Sequence, residues 1–201
     1  KDDPCKILKS QKNKVEILQS KSAHLNDGVA LVKFYYWLEE NYKKMKITEF
    51  EAAEKLEQFR KENTNYFSSS FPTISATGAN GSIIHYKPNR KSSVLKKGEL
   101  YLCDSGGQYY GGTTDITRTI YLGDKPPETL KLIYTKVLIG HLNVSMLKFP
   151  VGTKGYQLDS IARYNLWNHG LDYNHGTGHG VGSFLGVHEG PQSISKNPNN
   201  V

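Results

Sequence analysis

The hydrophobic period of this chain changes twice, and that alternation limits its fold more than any other feature. Residues 13–43 repeat apolar side chains at three-to-four spacing through Val15, Leu18, Leu25, Val29, Val32 and Tyr36, which predicts a long amphipathic helix with these residues as its apolar stripe. Thr48-Glu49-Phe50-Glu51 has the Thr-x-x-Glu form of a capping box and opens a second helix carrying Phe50, Ala53, Leu56 and Phe59. Polar residues 61–70 end it. The pattern then shortens. SIIHY (82–86), ELYLCD (99–104) and DITRTIYLG (115–123) are strand-like runs separated by Gly, Pro, Asn and Ser. After Pro126-Pro127 helical spacing returns through Leu130, Ile133, Val137, His141 and Val144. A shorter helix follows over about Tyr156 to Asn168, stopped by Gly170. The order is helix, helix, strands, then helix, helix, glycine-rich strand: two similar halves of an α+β fold, the second short of strands.

Composition excludes several classes. No run of about 18 apolar residues exists, so no membrane span is expected. The opening KDDPCKILKS lacks the apolar segment of a signal peptide and starts as a fragment or mature piece would. The net charge of +7 raises the question of nucleic acid. The excess is diffuse, with one modest cluster at Lys87, Arg90, Lys91, Lys96 and Lys97, whereas a nucleic-acid face concentrates its basic residues. A solvated loop is the simpler account. Cys5 and Cys103 form no zinc spacing and no disulfide scaffold; Cys103 lies in an apolar run and reads as a buried thiol, which fits a reducing cytosolic setting.

Two segments carry chemistry. In DSGGQYYGGTTD, Asp104 ends an apolar strand, where an unpaired carboxylate is costly, and Asp115 begins the next across a glycine-rich turn. A hairpin brings the two carboxylates together, and close carboxylates raise a pKa or recruit a hard divalent cation. Two turn-capping aspartates are the competing account. In HGTGHGVGSFLGVHEGP (175–191), the glycines disfavour a helix, and an extended backbone puts His175 and His179 on one face. The segment has no His-Glu-x-x-His, no Gly-x-Gly-x-x-Gly and no Gly-Lys-Ser/Thr. Ser183 sits in no Gly-x-Ser-x-Gly elbow, because position 181 is Val and 185 is Leu. One of these histidines is a candidate third ligand beside Asp104 and Asp115, and His85 in SIIHY is a further candidate.

Together, SFPTISATGANGSIIHY, LYLCDSGGQYYGGTTDITRT and HGTGHGVGSFLGVHEGP resemble the Xaa-Pro aminopeptidase (aminopeptidase P) family of pita-bread metallopeptidases. The resemblance covers essentially all 201 residues and looks closer to the three-domain eukaryotic-type members than to methionine aminopeptidase. It implies a pita-bread α+β fold, two pseudo-symmetric helix-helix-strand halves around a curved antiparallel sheet. It also implies two divalent ions, usually Mn²⁺, bound by two Asp, one His and two Glu. Carried over by motif, Asp104 is the terminal ligand, Asp115 the bridging one, and His179 the imidazole ligand. His85 and His188 match residues that hydrogen-bond the substrate around the scissile amide and the tetrahedral intermediate, and His175 one that lines the proline pocket.

The activity so implied is hydrolysis of the N-terminal Xaa-Pro bond by a hydroxide bridging the two ions. A prolidase-like dipeptidase and a non-catalytic pita-bread module that binds peptides, RNA or a protein are the alternatives. The family's two glutamate ligands lie downstream of HEGP, beyond Val201, and its N-terminal domains precede Lys1. Residues 1–201 are therefore expected to be a catalytic domain incomplete at its C-terminal end, inactive alone. Peptides with proline second are the expected substrates, a homodimer the expected assembly, and the cytoplasm the expected location, with no nucleic-acid or membrane partner.

Overall fold

The computed structural model describes residues 3–199, so the outermost positions of the expected 1–201 domain lie outside the described residues. In chain order the elements are α1 (Pro4–Ser10), α2 (Lys14–Asn41), α3 (Glu49–Lys61), β1 (Tyr66–Ser69), β2 (Ile74–Thr77), a 3₁₀ turn (Gly78–Ser82), β3 (Leu100–Ser105), β4 (Gly107–Tyr109), β5 (Gly112–Thr113), β6 (Ile116–Tyr121), α4 (Glu128–Ser145), α5 (Gly155–Trp167), β7 (Gly178–Gly180) and β8 (Glu189–Ile194). The chain divides into two compact units, one formed by Gln11–Asp124 with Val181–Val187, the other by Lys125–Gly180 with the described residues up to Ser10 and from His188 onward. The first contains α2 and α3 with antiparallel strands, the second α1, α4 and α5 with one antiparallel pair.

In the first unit, both long helices begin at capping boxes. Asn13 and Glu16 close the start of α2, and Thr48 and Glu51 that of α3, satisfying amide groups the first turn cannot pair internally. Helix α2 falls where its spacing predicts, but its inner face is not the expected stripe. Leu18, Leu25, Val32 and Tyr36 are 64 to 72% exposed, while Ala23, Asp27, Ala30, Leu31, Phe34 and Leu38 are buried. The helix carries two interleaved apolar stripes. The inner one includes two alanines and an aspartate, so it is the weaker on hydropathy.

Phe34, Leu38, Ile47, Leu56, Tyr101 and Cys103 form the core of this unit, each large apolar side chain contributing about 1.5–3 kcal/mol by leaving water. Cys103 is the buried thiol its setting predicts, and both cysteines are free. Strand β3 runs between β2 and β6, and β1, β4 and β5 make a second sheet. Along β3 the pleat turns Tyr101, Cys103 and Ser105 inward and Leu102 and Asp104 to the other face.

The strands β3 and β6 match expectation, but SIIHY does not form one. Residues 83–86 leave the 3₁₀ turn through a bend, with His85 at φ 56° and Ile83 and Ile84 half exposed. Strands β1 and β2 are not among the expected ones: YFSS does not alternate, and the apolar–polar alternation of ISAT spans only four residues.

In the second unit, α4 lies on α5, with Gly140 so close to the Ala162 carbonyl that any Cβ would collide with it. Helix α5 stops ahead of Gly170, which sits at φ 66°. Strands β7 and β8 pair antiparallel, with an irregularity between His179 and Gly180. His175 lies outside β7 in bent backbone, so the expectation that one extended strand carries both His175 and His179 is incorrect. Glycines 176, 178 and 180 shorten the strand to three residues. Among the described residues no helix is long and apolar enough to cross a membrane.

Candidate metal centre and its supporting groups

Asp104 sits on the central strand of its sheet, opposite Ile74 of β2 and Thr117 of β6. Asp115 immediately precedes β6, two residues before Thr117, so the strand alternation places it on the same side as Thr117 and hence as Asp104. Continued one residue beyond the ladder, the register makes the two aspartates diagonal neighbours, a relation that separates positions by about 7–8 Å. They face away from the core formed with α2 and α3. The turn between them is longer than a simple hairpin, because β4 and β5 leave to join β1 before the chain returns. Gly106 makes the return possible: a Cβ there would run into the Thr114 carbonyl.

His85 lies on the loop that follows the 3₁₀ turn, and Gly81 of that turn rests on Leu102, which shares its face of β3 with Asp104. The loop is held from beneath by Glu49, a fully buried carboxylate at the start of α3. Glu49 accepts hydrogen bonds from the Thr77 amide at 2.7 Å, the Asn80 side chain at 3.0 Å, the Tyr86 hydroxyl at 2.7 Å and the Ser93 amide at 3.2 Å.

Below the two aspartates is a second buried acid. Asp27 of α2 accepts from Arg60 Nε of α3 at 2.6 Å, from the Tyr109 hydroxyl at 3.1 Å and from the Thr114 hydroxyl at 2.5 Å. Arg60 Nη2 also donates to Ser105 Oγ at 2.9 Å. Burial works against the Arg60 charge, but Asp27 outweighs it and holds the guanidinium pKa above its ordinary value. Burial, followed by the charge of Asp27, pushes the Tyr109 phenol far up, so it remains a donor.

In the second unit, His179 and His188 stand edge to face with ring centroids 4.3 Å apart, and both are exposed. Nδ1 of His179 is 2.8 Å from the Gly180 carbonyl. A carbonyl only accepts, so Nδ1 is the donor of this contact, and a neutral ring so placed carries its lone pair on Nε2, the atom through which a ligating histidine commonly binds. His175 has the same relation to the Gly176 carbonyl at 2.8 Å.

A buried pair supports this loop too. Arg163 of α5 is bound by Asp159 at 2.7 Å and donates to the His175 carbonyl at 2.7 Å, while Asp159 accepts from the Thr177 hydroxyl at 2.6 Å. None of Glu49, Asp27, Arg60, Asp159 or Arg163 was singled out from the sequence. The available signal was an acid or arginine at the helical spacing of an inner stripe, as Asp27 is between Ala23 and Ala30. Among the described residues no three His, Cys, Asp or Glu side chains form a ready-made metal cage.

An α+β chain with paired aspartates across neighbouring strands and histidines on a glycine-rich ladder has the make-up of a pita-bread metallopeptidase. The sequence profile of metallopeptidase family M24 matches residues 19–201, and the chain belongs to that family. It is 52% identical to a probable Xaa-Pro aminopeptidase P of Sordaria macrospora across 95% of its own length and 31% of that protein. To Xaa-Pro aminopeptidase 1 of Dictyostelium discoideum it is 49% identical, covering all of this chain and 33% of the relative. The chain therefore spans about a third of the length of these curated relatives.

Its fold superposes with a TM-score of 0.93 at 41% identity on X-prolyl aminopeptidase from Caenorhabditis elegans, described as a cytosolic enzyme with a di-nuclear active site, over 98% of this chain and 32% of that one. Prolidase from Pyrococcus furiosus superposes at 0.82 with 31% identity, over 97% and 55%.

Proposed function

We propose that this chain belongs to the catalytic domain of a metal-dependent aminopeptidase that hydrolyses the bond before a penultimate proline. The observation that carries the reading is the shared face of Asp104 and Asp115 on β3 and at the entry to β6, within a family of metallopeptidases. Carboxylate oxygens and an Nε2 imidazole are the donor types hard and borderline divalent ions take, so the residues fit two such ions, most simply Mn²⁺. Asp104, Asp115 and His179 would hold them, together with two glutamates that the family pattern places after the matched motifs. When bound, such ions lower the pKa of water and polarise the scissile carbonyl.

The chain's own residues do the rest. His85 and His188 hydrogen-bond the substrate around the scissile amide and the charge that develops on its carbonyl oxygen. His175 lines the side of the pocket that receives proline. An Xaa-Pro amide has no N–H, so the site recognises ring shape rather than a donor. A left-handed backbone at His85 supports such a role, because non-glycine residues in that region collect at functional sites. The free cysteines and the cytosolic description of the nematode relative support a cytoplasmic location. Family resemblance supports a homodimer.

The test is made on the full-length protein with Mn²⁺. Peptides with proline second, from dipeptides to longer chains, should lose their first residue. Asp104→Ala should abolish ion binding, and His188→Ala should mainly lower kcat. Cleavage confined to dipeptides would replace this reading with a prolidase-like one, and wild-type protein that binds no divalent ion would remove the enzymatic reading altogether.

A further inference from the structure

We infer that the buried Asp27–Arg60 pair is a positioning device for the metal centre, acting through Ser105 and Thr114 to aim Asp104 and Asp115. The inference rests on the metal-binding reading of those two aspartates.

The geometry is specific. Arg60 Nη2 donates to Ser105 Oγ, and Thr114 Oγ1 donates to Asp27 Oδ2. Ser105 follows Asp104 directly, and Thr114 precedes Asp115 directly. Asp27, Arg60, Ser105 and Thr114 are all 0% exposed. One ion pair from two helices thus grips the inward neighbour of each outward carboxylate.

Strand alternation explains why this matters. Successive side chains of β3 point to opposite faces, so fixing Ser105 inward fixes Asp104 outward, while Thr114, in the link between β5 and β6, anchors the backbone from which Asp115 leads into β6. A slip of one residue in β3 would bury the carboxylate of Asp104 and expose the hydroxyl of Ser105. Thr114 is held at every polar atom: its hydroxyl accepts from the Gly107 amide at 2.8 Å, its amide donates to the Gly107 carbonyl at 2.9 Å, and its carbonyl accepts from Ser70 Oγ at 2.8 Å. A residue that only filled core volume would need none of these bonds.

Stability alone accounts poorly for the pair. Desolvating two charges offsets most of their attraction, and well-packed apolar residues often serve a core as well. What an apolar pair lacks is the directional grip on two hydroxyls. In metal sites, partners that orient ligands from behind typically affect metal affinity or activity by about 10- to 100-fold.

The experiment uses the full-length protein and reads Mn²⁺ affinity from the free-ion electron paramagnetic resonance signal, alongside thermal unfolding without metal. Thr114→Val keeps the shape and removes the hydroxyl. It should weaken Mn²⁺ binding by about 10-fold or more, whereas Thr114→Ser should restore near-wild-type affinity. Ser105→Ala should act in the same direction. Asp27→Asn leaves Arg60 buried without its charge partner and is expected to impair folding, so the valine variant decides the matter.

If Thr114→Val lowers the unfolding temperature while Mn²⁺ affinity stays within about twofold of wild type, the residue is only structural and the inference is wrong. If wild-type protein binds no Mn²⁺, the metal-site reading fails and takes this one with it.

Discussion

The Tyr86 hydroxyl donates to the buried Glu49 carboxylate at 2.7 Å, and through that bond α3 holds the residue next to His85. Glu49 also takes the amides of Thr77 and Ser93, so one carboxylate gathers both ends of the segment that carries the candidate catalytic histidine. Removing the hydroxyl alone, in Tyr86→Phe, should cost about 1.5–3 kcal/mol, the range for a hydrogen bond to a charged group. Glu49→Ala should cost roughly 3–5 kcal/mol, because several buried donors lose their acceptor at once. Urea unfolding checks the magnitudes. Hydrogen exchange should show faster opening over residues 77–86 in both variants, with α4 and α5 unchanged.

His85 provides a second prediction. At φ 56° a side chain is strained and glycine is not, by about 1 kcal/mol at a tolerant residue such as histidine. His85→Gly should therefore leave stability unchanged or raise it by up to about 1 kcal/mol, while turnover by the full-length enzyme falls sharply. His85→Ala should lose turnover equally without the gain in stability. A glycine variant that unfolds more readily than the alanine one would show that the backbone there is not strained.

The fold was legible where local chemistry spoke plainly. The capping box at Thr48, the apolar runs at β3 and β6 and the stop at Gly170 all act within a few residues and appear where the pattern puts them. The same holds for the motifs that led to the family. Features set by tertiary context were hidden. Ile83 and Ile84 suggest a strand, yet half of each stays in water because the chain is turning to present His85. Likewise β1, with its Ser68 and Ser69, is a strand because β4 pairs with it, not because its sequence alternates. The supporting acids were missed for a related reason: a buried carboxylate reads as a surface one until its partners, tens of residues away, are known.

Helix α2 tests that argument directly. The outward stripe is the more hydrophobic in sequence, but packing makes the inner one count. Leu38→Ala should destabilise this chain by about 2–5 kcal/mol, whereas Leu25→Ala, at a 72% exposed position, should change stability by less than about 0.5 kcal/mol. Equal losses at the two positions in urea titrations would mean that the outer stripe is also packed.

The two thiols should behave as opposites. Cys5 is exposed, and native protein at pH 8 should react there with a thiol reagent; Cys103 should label only after unfolding. Burial is the main reason that the Cys103 pKa is pushed up to about 11 from an ordinary 9.0. The folded state keeps this thiol protonated after the unfolded state has begun to ionise. Stability is thus intact below about pH 9 and declines as pH rises from there to about 11, by about 2–3 kcal/mol in all. Cys103→Ala should flatten that part of the pH dependence while lowering stability at neutral pH through the small cavity it leaves. The comparison of the two unfolding curves between pH 8 and 11 reads the thiol together with Tyr35 and Tyr101, whose phenols are coupled to it, while lysine ionisation is common to both proteins.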